Sequence, residues 1–230
     1  MKIEKMLARM CVAAVIGLLG MIGGASATTV TASDVGTSWT VNFACTSSVD
    51  CAGVTDQVTF ILTSVDTSNP TQVVWGIDMT MTNTSSALVT GTNADTGWLT
   101  AIGFDANPDA VMSGFTNYAG GTTWAGGAGN IPSVGTELCV WDGNSCQAGN
   151  NHTMPAGSSD HVSFLLTTSG PGTSLTIDGY GIKTVSVGVG GGSYEYGGTE
   201  VAPVPLPAAG LLLAGGLGAM GLIRRRRRAA

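Results

Sequence analysis

Val73-Val74-Trp75-Gly76-Ile77-Asp78-Met79-Thr80-Met81-Thr82 alternates large apolar with polar or small residues along nearly its whole length. Trp75, Ile77, Met79 and Met81 fall on one face, and Asp78, Thr80 and Thr82 on the other. Successive side chains of a strand point to opposite faces, so a period of two marks a strand with one buried face.

The pattern recurs on both sides of this stretch. Residues 37–43 put Trp39, Val41 and Phe43 on one face, and residues 57–65 do the same with Val58, Phe60 and Leu62. Residues 98–104, 111–118, 136–141 and 161–168 read as further strands, the last with Val162, Phe164 and Leu166 inward. Residues 174–177 and 182–189 read as a pair around an Asp178-Gly179-Tyr180-Gly181 turn, and 193–196 as a last short strand. Asn69-Pro70, Asn83-Thr84-Ser85-Ser86 and Asp105-Ala106-Asn107-Pro108-Asp109 are turn chemistry. The Gly-rich residues 119–130 read as a long loop or irregular edge, and 197–203 as a linker. Helical runs of Leu, Glu, Lys and Ala are absent from 28–203. Nine or ten short strands so spaced predict an all-β fold, a β-sandwich with the jelly roll as one form of it.

The two ends of the chain have a different composition. Lys2, Lys5 and Arg9 precede an apolar run over 11–22, and Ala25-Ser26-Ala27 follows. Basic head, short apolar run and small-residue box predict a secretory signal peptide over 1–27, cut after Ala27; an uncleaved anchor is the rival. At the other end stand Val204, Pro205, Leu206, Pro207 and Ala208, then apolar residues to Ile223, then Arg224, Arg225, Arg226, Arg227 and Arg228. Residues 207–223 make a helix of about 25 Å, near the lower limit for spanning the bilayer. The arginines predict a cytoplasmic C-terminus with the body outside. Gly210, Ala214 and Gly218 form a small-residue stripe that suits helix packing or simply reflects Gly/Ala content.

Between them lie residues 28–203, enough for one domain with a real core, with strands over 28–196. Lys183 is the only Lys or Arg there, against fourteen acids, a formal charge of −13. No basic patch exists to displace counterions, which excludes nucleic acid as a partner. Cys45, Cys51, Cys139 and Cys146 make an even count in a chain expected to be exported, which favours disulfides. Three pairings exist; Cys45–Cys51 and Cys139–Cys146 are favoured because each brackets a short polar loop. Zinc is the rival, but no Cys-x-x-Cys or nearby His supports it.

The tail resembles the PEP-CTERM sorting signal of exported proteins in Gram-negative bacteria, in its VPLPA variant. The motif, apolar span and arginines occur in the order of that class, over about 27 of 230 residues. Leu206 stands where the commoner motif has Glu. The resemblance implies recognition by an exosortase, an integral-membrane cysteine protease, with transient inner-membrane anchoring before delivery to the cell surface. It also implies an association with extracellular polysaccharide or biofilm matrix.

Chemistry is sparse. His152 and His161 sit in no recognisable motif, and there is no Gly-x-Ser-x-Gly elbow or H-E-x-x-H pair. Asp105 with Asp109, or Asp142 with Asp160, are the imaginable glycosidase pairs, and turn roles explain them as well. Asp95, Asp105, Asn107 and Asp109 offer loop oxygens that would suit calcium; no other cofactor is implied. Tyr118, Trp124, Tyr180, Tyr194 and Tyr196 are candidates for stacking on sugar rings, against a packing role. The expectation is an exported, surface-sorted, non-enzymatic protein; the alternatives are a carbohydrate-binding module and a secreted hydrolase.

Overall fold

The computed structural model describes residues 27–46, 51, 53–85, 95–118, 123–143, 145–147, 154–188 and 191–201. Residues 1–26 and 202–230 lie outside it, so the expected leader, sorting motif, apolar span and arginines are not among the described residues. Among those described, no helix is long and apolar enough to cross a membrane.

The fold is all-β. Eleven strands follow in order: β1 (Thr28–Thr31), β2 (Ser38–Ala44), β3 (Thr55–Asp66), β4 (Gln72–Asn83), β5 (Asp95–Asn107), β6 (Ala110–Asn117), β7 (Trp124–Ala128), β8 (Leu138–Asp142), β9 (Ser159–Ser169), β10 (Ser174–Gly188) and β11 (Gly192–Glu200). They join one antiparallel sheet in the order β6-β9-β4-β3-β2-β11-β10-β5-β8-β7, with β1 beside β10. β6 and β7 end that order, yet Met112 and Phe115 of β6 pack over Gly126 of β7. The sheet therefore curls until its two edges nearly meet, a barrel-like shape in one sheet.

Alternation explains the curl. β4 buries Val73, Trp75, Ile77, Met79 and Met81, and β3 buries Val58, Phe60 and Leu62. Phe104, Phe164, Trp39 and Val41 come from other strands into the same core. Phe60 stacks on Trp39 at 5.3 Å and meets Phe104 edge-on at 5.7 Å. Each such buried side chain contributes about 1.5–3 kcal/mol.

Three expectations are corrected. The Asp178–Gly181 segment is not a turn: β10 runs straight through it, and the register against β5 slips between Asp178 and Gly181. Gly179 supplies the positive φ (59°) of that bulge. The Gly-rich segment holds a real strand, β7, laddered to β8 from Trp124↔Asp142 to Ala128↔Leu138. The expected linker begins as strand, because β11 pairs with β2 at Gly198↔Phe43, Thr199↔Asn42 and Glu200↔Val41.

Candidate functional site

The cysteines pair as the loop lengths favour. Cys45–Cys51 and Cys139–Cys146 are bonded, with Cα–Cα distances of 5.7 Å and 6.2 Å. The first closes the β2–β3 connection, where Cys45 N donates to Val54 O at 3.0 Å. The second packs with Ala101 and Ile131 in a small apolar cluster separate from the main core. With these four sulfurs bonded, no free thiolate remains for zinc among the described residues.

That second cluster lies under the β7–β8 connection, which folds back over the sheet. A Cβ on Gly103 would meet Thr136, and one on Gly181 would meet Val134, so both glycines make room for it. Lys183, itself nearly buried, ties this arrangement together. Its Nζ lies 3.4 Å from Glu195 Oε1 and donates to Gln147 O. Glu195 Oε2 accepts from Ser133 N at 3.0 Å. Burial disfavours ionised Glu195, but Ser133 and Lys183 outweigh it and hold the carboxyl below its ordinary value. Lys183 thus serves an internal ion pair.

Most of the expected sugar-stacking aromatics are core residues. Trp124 is only 2% exposed, and its Nε1 donates to Asp160 Oδ2 at 2.8 Å. Tyr180 is buried, accepts from Trp39 Nε1 at 2.9 Å and donates to Ile177 O at 2.9 Å. Burial, then the Glu200 carboxylate, raise its hydroxyl above the ordinary tyrosine value. Tyr196 is buried and Tyr194 packs against the core. Tyr118 is the exception at 46% exposed, with its ring stacked on His161 at 4.1 Å and 3°.

The expected acid sets come together only in part. Asp95 and Asp105 are in one strand, β5, facing Gly188 and Asp178 of β10; ten residues of strand separate them by about 33 Å. Asp105 Oδ1 accepts from Glu137 N at 2.7 Å, while burial raises its carboxyl, partly offset by that bond and reinforced by Asp178. Asn107 and Asp109 are exposed at the same end of β5 as Asp105. No group of three or more metal-ligating His, Cys, Asp or Glu side chains occurs among the described residues. Asp142 and Asp160 do come to one corner, both bordering Trp124. His152 lies outside the described residues.

Two features were not singled out from sequence. One is the outward face of β2, β3, β4 and β9. Register puts Thr40, Thr59, Thr80 and His161 in one row, and Asn42, Gln57, Thr82 and Ser159 in the next. Tyr118 prolongs the first row through its backbone bond to His161 O. Neighbouring strands lie about 4.8 Å apart, so hydroxyl and amide groups repeat at that pitch. Asp78 is the only acid of β4 on this face, with Oδ2 3.7 Å from His161 Nε2.

The other is Asp56, 1% exposed. It extends the inward series Phe60, Val58 by one more step of two, a signal available in the alternation. Tyr196 Oη donates to its Oδ2 at 3.1 Å, and Oδ1 has no partner among the described residues. No family model, curated protein or solved structure matches this chain.

Proposed function

We propose that this chain is an exported, non-enzymatic protein of the cell surface or extracellular matrix, delivered by its C-terminal sorting signal through an exosortase-type protease. The supporting observation is the pair of cystines, each closing a short polar connection of an acidic all-β body. Such bonds persist in oxidising compartments outside the cytoplasm. The signal-peptide pattern over 1–27 and the VPLPA-type tail agree with that destination. The body is read as a sandwich-like β-domain with its sheet curled around one core. Cell fractionation with a reporter fused after Glu200 tests the reading: reporter activity outside the inner membrane is expected, and activity confined to the cytosol overturns it.

Carbohydrate binding is the second reading, favoured by the Thr40-Thr59-Thr80 row that ends at the Tyr118–His161 ring pair and the Asn42-Gln57-Thr82-Ser159 row beside it. An aromatic face beside ordered hydroxyls suits a neutral sugar chain. Binding on a glycan array that Tyr118→Ala abolishes, with an unchanged unfolding midpoint, supports it; binding indifferent to Tyr118→Ala removes it.

A further inference from the structure

A carboxyl is buried in this fold with almost nothing to neutralise it. Asp56 lies at the start of β3 on an inward position, between Phe43 of β2 and Asn83 of β4. Its one described partner is the neutral Tyr196 hydroxyl. The Asn83 amide is committed elsewhere, donating to Gly97 O at 2.9 Å and Met154 O at 3.1 Å. Thr184 of β10 is fully buried beside the Tyr196 hydroxyl, and Asp56 Oδ1 has no hydrogen-bond partner among the described residues.

The charged and titratable groups of the surrounding strands point elsewhere. β2 has none. Asp66 ends β3 at the far end of the sheet, and Asp78 of β4 faces outward beside His161. On β10, Asp178 pairs with Asp105 far along the strand, and Lys183 is turned outward to Glu195. On β11, Glu200 accepts from Thr28 at 2.5 Å, and Tyr194 packs at the edge of the core. Asp160 of β9 is bonded to Trp124 Nε1 of β7, and Asp142 of β8 is Trp124's register partner. Asp95 opens β5 at the same end as Asp56, with its side chain outside the described residues. Tyr196 is therefore the one described titratable group facing Asp56, and burial, then the Asp56 carboxyl, raise its hydroxyl well above the ordinary value.

We propose that Asp56 is a protonation latch between β3 and β11: neutral, it closes the end of the sheet that carries the Cys45–Cys51 bond; ionised, it draws in water and loosens that end. The proton passes to solvent. Burial disfavours the carboxylate, the Tyr196 hydroxyl favours it less strongly, and the group is pushed up to about 7.

The sign follows from linkage. The folded form holds the proton more tightly than the unfolded chain, whose value is near 3.8. This stabilisation is complete below that value, falls as pH rises, and is gone above about 7. Glu195, Asp34 and Asp66 are shifted the opposite way, so their effect belongs to lower pH; Asp105 is raised as Asp56 is, and its share of the slope is common to wild type and variant.

The experiment is denaturant unfolding of the oxidised protein between pH 5 and 8, wild type beside Asp56→Asn. In wild type Asp56 is expected to raise the unfolding equilibrium constant up to about tenfold per pH unit below 7; Asp56→Asn removes that part of the slope. Equal slopes in the two proteins overturn the latch. Should Asp56→Asn not fold, Tyr196→Phe decides: loss of the donor moves the wild-type slope to higher pH, and a slope left in place overturns the proposal.

Discussion

The side chain of Asn117 does the work of a strand for Trp124. Its Nδ2 donates to Trp124 O and its Oδ1 accepts from Trp124 N, both at 2.8 Å. β6 and β7 share no backbone ladder, so this amide closes their seam at one end.

Asn117→Ala leaves the Trp124 N–H and C=O without that partner. A loss of about 1–2 kcal/mol is expected, read as a lower denaturant midpoint. Asn117→Asp keeps an acceptor but loses the donor and sets charge against a carbonyl, so it is expected to be at least as damaging. A midpoint unchanged in both variants contradicts the seam.

Lys183→Met removes the cation from Glu195 and the donor from Gln147 O. The expected cost is about 1–3 kcal/mol, because a partly buried carboxylate loses its cation and keeps only the Ser133 N–H. Adding Glu195→Gln removes the stranded charge and returns part of the loss. A double variant no better than Lys183→Met shows that the ion pair was not the cause.

Gly179 and Gly36 separate backbone cost from collision. Both have positive φ, 59° and 91°, but a Cβ on Gly179 would lie 2.1 Å from Asp105 Oδ2, whereas one on Gly36 meets nothing within 4 Å. Gly36→Ala is expected to cost about 1 kcal/mol and Gly179→Ala about 2–4 kcal/mol. Combining Gly179→Ala with Asp105→Ala relieves the collision, and the second change is then less harmful than in the wild type. Calorimetric midpoints of wild type, the three single variants and the double variant give the comparison.

Strands β2, β3, β4 and β9 were legible because large apolar residues recur at every second position over most of their length, and the inward residues so picked out are the buried ones. β7 was not, since Trp-Ala-Gly-Gly-Ala has too few side chains to show a period; its ladder rests on backbone bonds to β8. Gly179 was misread because a turn and a bulge both call for a positive φ. The short cystine pairings followed from loop length. The roles of Trp124 and Tyr180 did not, because an aromatic's burial depends on strands far away in sequence: Tyr180 is tied to Trp39, and Trp124 to Asp160.

Peptide mapping by mass spectrometry, on unreduced protein recovered from the producing cells, tests the account of an exported, cystine-closed body most directly. The account expects a chain beginning at Thr28 with Cys45 joined to Cys51 and Cys139 to Cys146. A chain that retains residues 1–27 and has Cys45, Cys51, Cys139 and Cys146 all as free thiols contradicts it.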